Sequence, residues 1–184
     1  MKNNFTIRIT RSASLLFLAV VAASMSLAPR AYGAAPAGRC STNPDSRALD
    51  FWLGDWSIAG PGSEPTAKSS VTSTLDQCVI VETWDGGRGH TGQNWFGYNA
   101  DDKSWHGMFA DNRGRVHVFV DGKVASGAAE FTGPSQGADG EAFLNRVRIV
   151  RISPEKVEQI WEKSTDHGAT WNTEFRGEYS RKKS

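Results

Sequence analysis

From residue 52 onward, apolar and polar positions alternate in short segments, and none keeps the i, i+3, i+4 spacing of an amphipathic helix. The alternation, with its β-branched and aromatic enrichment, predicts strands near 52–59, 68–75, 77–84, 91–98, 104–110, 115–121, 123–132, 143–152, 156–164 and 170–180. Turn chemistry separates them: Asn99 to Lys103, Asp111 to Gly114, Asp121-Gly122, a polar glycine-rich loop from Gly133 to Gly140, and Ser153-Pro154-Glu155. Ahead of them, Pro44 to Asp50 predicts a short helix capped by Asp45 or Ser46. Short strands at even spacing, without an internal repeat, predict an all-β fold: a single antiparallel up-and-down barrel of about ten strands with a short N-terminal helix.

The first residues break this pattern. Lys2, Arg8 and Arg11 precede an apolar run from Ala13 to Ala28, and small residues follow to Ala37. That order is a signal peptide over residues 1–33, with cleavage after Gly33 or as late as Ala37. The run is short and rich in Ala and Ser, which argues against a membrane anchor. Four basic residues leave with the peptide and no acidic one, so 17 Lys and Arg face 20 Asp and Glu, a net charge of −3. A mildly acidic domain has no electrostatic footprint for nucleic acid. Residues 34–44 read as a flexible leader and 45–181 as one domain, large enough to bury a core. The expected location is the periplasm or the outside of the cell. In that oxidising setting the two cysteines, Cys40 and Cys78, predict a disulfide. A lipid on Cys40 is the rival, and Ala37-Gly38-Arg39 lacks the apolar-small run it needs.

The stretch Phe51-Trp52-Leu53-Gly54-Asp55-Trp56 carries a resemblance. Trp52, Trp56 and Ile58 share one strand face, and Gly54 permits close backbone approach between the indoles. A short helix followed by Gly-x-Trp is similar to lipocalins and other calycin barrels. The fuller run resembles uncharacterised exported bacterial proteins with a lipocalin-like domain. The likeness continues through Asp76-x-Cys78-Val79-Ile80-x-Glu82-x-Trp84, Gly92 to Tyr98, Trp105 to Asp111 and Ser164 to Trp171. It implies a barrel whose late basic residue, Arg176 or Arg181, packs over Trp56. A nitrobindin-like barrel with a similar start binds haem through histidine. Haem is therefore an alternative, although none of His90, His106, His117 and His167 matches by motif.

Several residues invite chemistry. Ile80, Glu82 and Trp84 alternate on one face, so Glu82 is a candidate inward carboxylate. The other expectation is a pair with Arg146 or Arg148. Trp161 shares a face with Val157 and Gln159, and Trp95 sits in a glycine-flanked strand. Glu82, Trp84, Trp95 and Trp161 are the candidate ligand-binding residues, with the loop at 86–89 at a barrel mouth. Glu174 and Arg176 share a predicted face and are expected to hold each other across an opening. Ser164-x-Asp166-x-Gly168-x-Thr170-Trp171 has the spacing of an Asp-box turn, which gives Asp166, Gly168 and Trp171 structural roles. No metal site and no nucleophile elbow is legible. The expectation is an exported protein that binds a small hydrophobic or aromatic molecule without a cofactor. The alternative is a periplasmic enzyme using Glu82 or a histidine.

Overall fold

A computed structural model describes residues 40–183; the expected signal peptide and residues 34–39 of the leader lie outside the described residues. Ten antiparallel strands follow one another: β1 Gly54–Ala59, β2 Ala67–Thr74, β3 Val79–Asp85, β4 Thr91–Asn99, β5 Ser104–Asp111, β6 Val116–Ala125, β7 Ala128–Gln136, β8 Ala142–Ser153, β9 Lys156–Ser164 and β10 Asn172–Arg181. Each pairs with the next, and β10 returns to β1 through Trp56 opposite Arg181 and Ile58 opposite Tyr179, which closes the barrel. Closure leaves no free sheet edge.

The period-two pattern sorts the side chains. Trp56, Ile58, Val71, Ile80, Phe96, Phe119, Phe131, Val147, Ile149 and Tyr179 face inward and are buried. They fill one half of the barrel, where Phe96 stands 4.2 Å from Phe131 between ring centroids. Burying each such side chain stabilises the fold by about 1.5–3 kcal/mol. The chain ahead of β1 closes this end. Residues 44–49 form turns in place of the expected short helix, and a single 3-10 turn, Asp50–Trp52, follows with Leu49 at its N-cap and no side-chain cap, so neither Asp45 nor Ser46 caps a helix. Trp52 is fully buried, and its carbonyl accepts a 2.9 Å hydrogen bond from Trp56 Nε1. Arg181 stacks 4.3 Å over the Trp56 ring and donates to the Leu53 carbonyl at 2.8 Å. Arg176 lies elsewhere, paired with Glu158. Gly54, at φ +133°, is obligatory: a Cβ would collide with the Arg181 guanidinium.

The Cys40–Cys78 disulfide ties the segment ahead of β1 to the β2–β3 turn. Arg47 adds a 3.0 Å hydrogen bond to the Gln77 carbonyl in the same turn, whose Leu75, Asp76 and Gln77 all adopt positive φ.

Two expected boundaries move. Asp121-Gly122 is not a turn but part of β6, and the hairpin reverses at Ser126-Gly127, both at positive φ. Gly122 is needed at a bulge opposite β5, where a Cβ would strike the Trp105 carbonyl and the Phe131 ring. Gly133 belongs to β7 rather than to the following loop, and it packs on the Val118 backbone.

Candidate functional site

The end of the barrel opposite Trp52 is open. There the inward positions carry polar and aromatic side chains in place of the packed hydrocarbon below. They surround a cavity of about 300 Å³. Trp84 of β3, Phe109 of β5, His117 of β6, Trp161 of β9 and Phe175 of β10 form its walls. Phe109 and Trp161 meet edge to face at 5.1 Å, and His117 stacks on Phe109 with centroids 6.0 Å apart.

Glu82 lies in the floor, fully buried. Its Oε1 accepts from Ser69 Oγ at 2.7 Å, and its Oε2 from Asn94 Nδ2 at 2.7 Å and Gln159 Nε2 at 3.3 Å. The Tyr179 hydroxyl stands 3.0 Å from Glu82 Oε1 and 2.9 Å from Gln159 Oε1, and its single proton serves either. Burial pushes the Glu82 carboxyl above its ordinary range, and the donors only partly offset this. Burial, then the Glu82 charge, raises the Tyr179 phenol well above its usual value, which keeps it a donor. The network extends to the wall: Trp161 Nε1 donates to Gln159 Oε1 at 3.1 Å. One floor atom, Asn94 Oδ1, is buried without a hydrogen-bond partner.

His117 Nδ1 lies 2.6 Å from Asn145 Nδ2 and 3.0 Å from Ser135 Oγ. The amide donation assigns the proton of the neutral ring to Nε2. Burial, then the nearby Arg115 charge, lowers the His117 pKa and favours that neutral form.

Charged groups ring the mouth. Asp111, with a fully covered side chain, accepts from Arg115 at 2.7 Å and lies 2.9 Å from His90 Nε2. Burial pushes its carboxyl up, but His90, Arg115 and the backbone amides of Arg113 and Arg115 outweigh that and hold it well below the usual carboxylate range. Trp84 meets the His90 ring edge-on at 4.9 Å, and the glycine loop wraps its indole so closely that a Cβ at Gly86 would enter the ring.

Of the four candidate ligand-binding residues, Glu82, Trp84 and Trp161 come together here. Trp95 does not. Its neighbours Asn94 and Phe96 take the inward positions, so Trp95 lies on the outer face between Val81 and Met108 in the sheet register. Arg146 and Arg148 do not pair with Glu82; both clasp Glu162 on the outer face, at 2.8 and 2.9 Å. Glu174 and Arg176 are also separated. A register shift between Thr173 and Phe175 turns Glu174 to the cavity mouth, while Arg176 stays outside.

Asp166 accepts from Thr170 N, Thr170 Oγ1 and Ser164 Oγ at 2.6–2.9 Å, with Gly168 at φ +90°. Those bonds hold its carboxyl at about 2. Trp171 lies under the Arg146 guanidinium at 4.0 Å, away from the cavity. This is a built turn.

Sequence reasoning passed over Asn94, Phe109, Arg115, Asn145 and Phe175. Parity was the available signal for Asn94, two residues before Phe96. The mouth residue Arg115 depends on how a turn folds back and had none. Among the described residues, no group of three or more His, Cys, Asp or Glu is arranged to hold a metal ion. The chain matches no family model and no curated protein.

Proposed function

We propose that this chain is an exported barrel of the lipocalin-like kind that binds a small organic molecule with an aromatic or apolar body. The observation that carries this reading is the cavity of about 300 Å³ at the open end, walled by Trp84, Phe109, Trp161 and Phe175 over a polar floor. Its volume falls at the lower end of ligand sites, about 300–1,000 Å³, and its mix of flat apolar walls with few polar groups is what such sites share. The charge-then-apolar N-terminus and the Cys40–Cys78 disulfide both support export.

Catalysis by Glu82 is the weaker reading. Glu82 is fully buried and its two oxygens already accept from Ser69, Asn94 and Gln159 and meet the Tyr179 hydroxyl, whereas a general base must reach the proton it removes. Those bonds instead fix the floor and, through Gln159, the Trp161 indole.

Tryptophan fluorescence titration with a panel of aromatic and aliphatic compounds tests the proposal. A saturable change that Trp84→Ala weakens by about tenfold, roughly the 1.4 kcal/mol that one lost aromatic wall costs, is expected. If no compound perturbs the emission, or if Trp84→Ala binds as tightly as the parent, the cavity is not the site. Native mass spectrometry of the exported protein identifies what it carries.

A further inference from the structure

We propose, resting on the binding reading above, that the cavity takes an organic cation: a protonated or quaternary amine on a small aromatic or aliphatic body. The charge balance of the cavity leads to this class. Arg115 is matched at 2.7 Å by Asp111, so the one guanidinium at the mouth is already neutralised. Burial, then the Arg115 charge, lowers the His117 pKa and so favours its neutral form. His90 shares the same Asp111 carboxylate, and the remaining ionisable groups of the cavity are acidic. Glu82 is fully buried and receives only neutral donors, from Ser69, Asn94, Gln159 and Tyr179. Glu174 stands at the mouth, and among the described residues neither glutamate has a cationic side chain in ion-pair distance. A buried carboxyl without a countercharge resists ionisation, and a cation bound beside it favours the charged form.

The walls point the same way. The rings of Trp84, Phe109, Trp161 and Phe175 line the cavity, and an aromatic face carries the negative quadrupole that attracts ammonium groups, most strongly where water is excluded. An anion would meet these rings and Glu82 together. The unpartnered Asn94 Oδ1 adds an acceptor in the floor and no further donor. Aromatic walls alone suit any flat molecule; walls over an unpaired acid select for positive charge.

The test compares benzyltrimethylammonium, its uncharged carbon isostere neopentylbenzene, and 3-phenylpropanoate, titrated into the exported protein by tryptophan fluorescence. The cation is expected to bind at least about tenfold more tightly than the isostere, with the carboxylate weakest. Glu82→Gln is expected to lower the ratio of cation to isostere affinity by most of that factor, a change in ratio that a general loosening of the floor, which weakens both ligands alike, would not produce. Glu174→Gln, at an exposed position, is expected to reduce the preference by a smaller factor and does not depend on the buried network surviving. If the isostere or the carboxylate binds as tightly as the cation, the charge inference is wrong and the binding reading stands. If the cation preference is unchanged in both variants, the assignment to these glutamates is wrong. If none of the three binds folded protein, both readings fail.

Discussion

Gly54 shows how much one position can decide. It sits at φ +133° with its α-carbon facing the Arg181 guanidinium, which in turn covers Trp56 and bonds the Leu53 carbonyl. A methyl group there meets both a backbone conformation that L-residues avoid and a filled space. Gly54→Ala is therefore expected to destabilise the fold by about 2 kcal/mol or more. In the Gly54→Ala/Arg181→Ala double variant the collision is gone, and urea unfolding should show a cycle that is non-additive in the direction of rescue. Equal, additive costs would separate Gly54 from Arg181. The interplay was half legible in the sequence. Gly-x-Trp marks a close approach, and a late arginine over Trp56 follows from the resemblance, but nothing in the spacing chooses Arg181 over Arg176. Trp95 shows the opposite case. Its size suggests an interior wall, yet Asn94 and Phe96 hold the inward parity, and a side chain's bulk does not override the pleat.

Strand existence was readable because alternation is a property of every half-buried strand. Strand ends were not, because several dipeptides can turn. Asp121-Gly122 and Ser126-Gly127 both have hairpin chemistry; the choice fell to the second because Gly122 must accept the Trp105 carbonyl and the Phe131 ring against its α-carbon. Bulges hide from sequence for the same reason: the shift at Thr173/Phe175 separates Glu174 from Arg176 and so alters the site. The closing segment is the element whose contribution can be measured most directly. Cys40 and Cys78 are 38 residues apart, and loop-closure entropy over that span makes the link worth about 3–4 kcal/mol. The Cys40→Ser/Cys78→Ser double variant is expected to unfold at lower urea by that amount, with the cavity's ligand response retained while the chain is folded. Thiol counting on unreduced, denatured protein should find no free thiol. Two free thiols in exported material, or an unchanged unfolding midpoint, would show that the segment is held by other contacts.

At the scale of the whole barrel, the acid in the cavity floor and the paired acids of the mouth and outer face oppose each other in their response to acid. Burial raises the folded Glu82 pKa, so its contribution to stability is fully present below the ordinary glutamate value of about 4.5 and is lost as pH rises through the folded value. Asp111 and Glu162 behave in the opposite sense: burial opposes their ionisation, but His90 and Arg115 for the first, and Arg148 and Arg146 for the second, lower them. Their stabilisation is present above the ordinary carboxylate range and is lost as pH falls through the folded values. Neutral, buried His117 also costs stability as pH drops below about 6.5, where the unfolded chain takes up a proton that the folded ring refuses. The parent's pH profile is a composite, and Glu82→Gln isolates one component. Glutamine fits the floor: its oxygen can accept from Asn94 and Gln159, and its amide can donate to the Ser69 and Tyr179 hydroxyls, which rotate to accept. The parent should therefore be most favourable relative to Glu82→Gln at acid pH, and that advantage should shrink as pH rises and then level off. Urea unfolding of both proteins across a series from about pH 4 to pH 9 measures the difference directly. A difference that grows with pH would mean that the Glu82 carboxylate is stabilised by its donors beyond the cost of its burial, and a flat difference would mean that Glu82 titrates as it does in the unfolded chain.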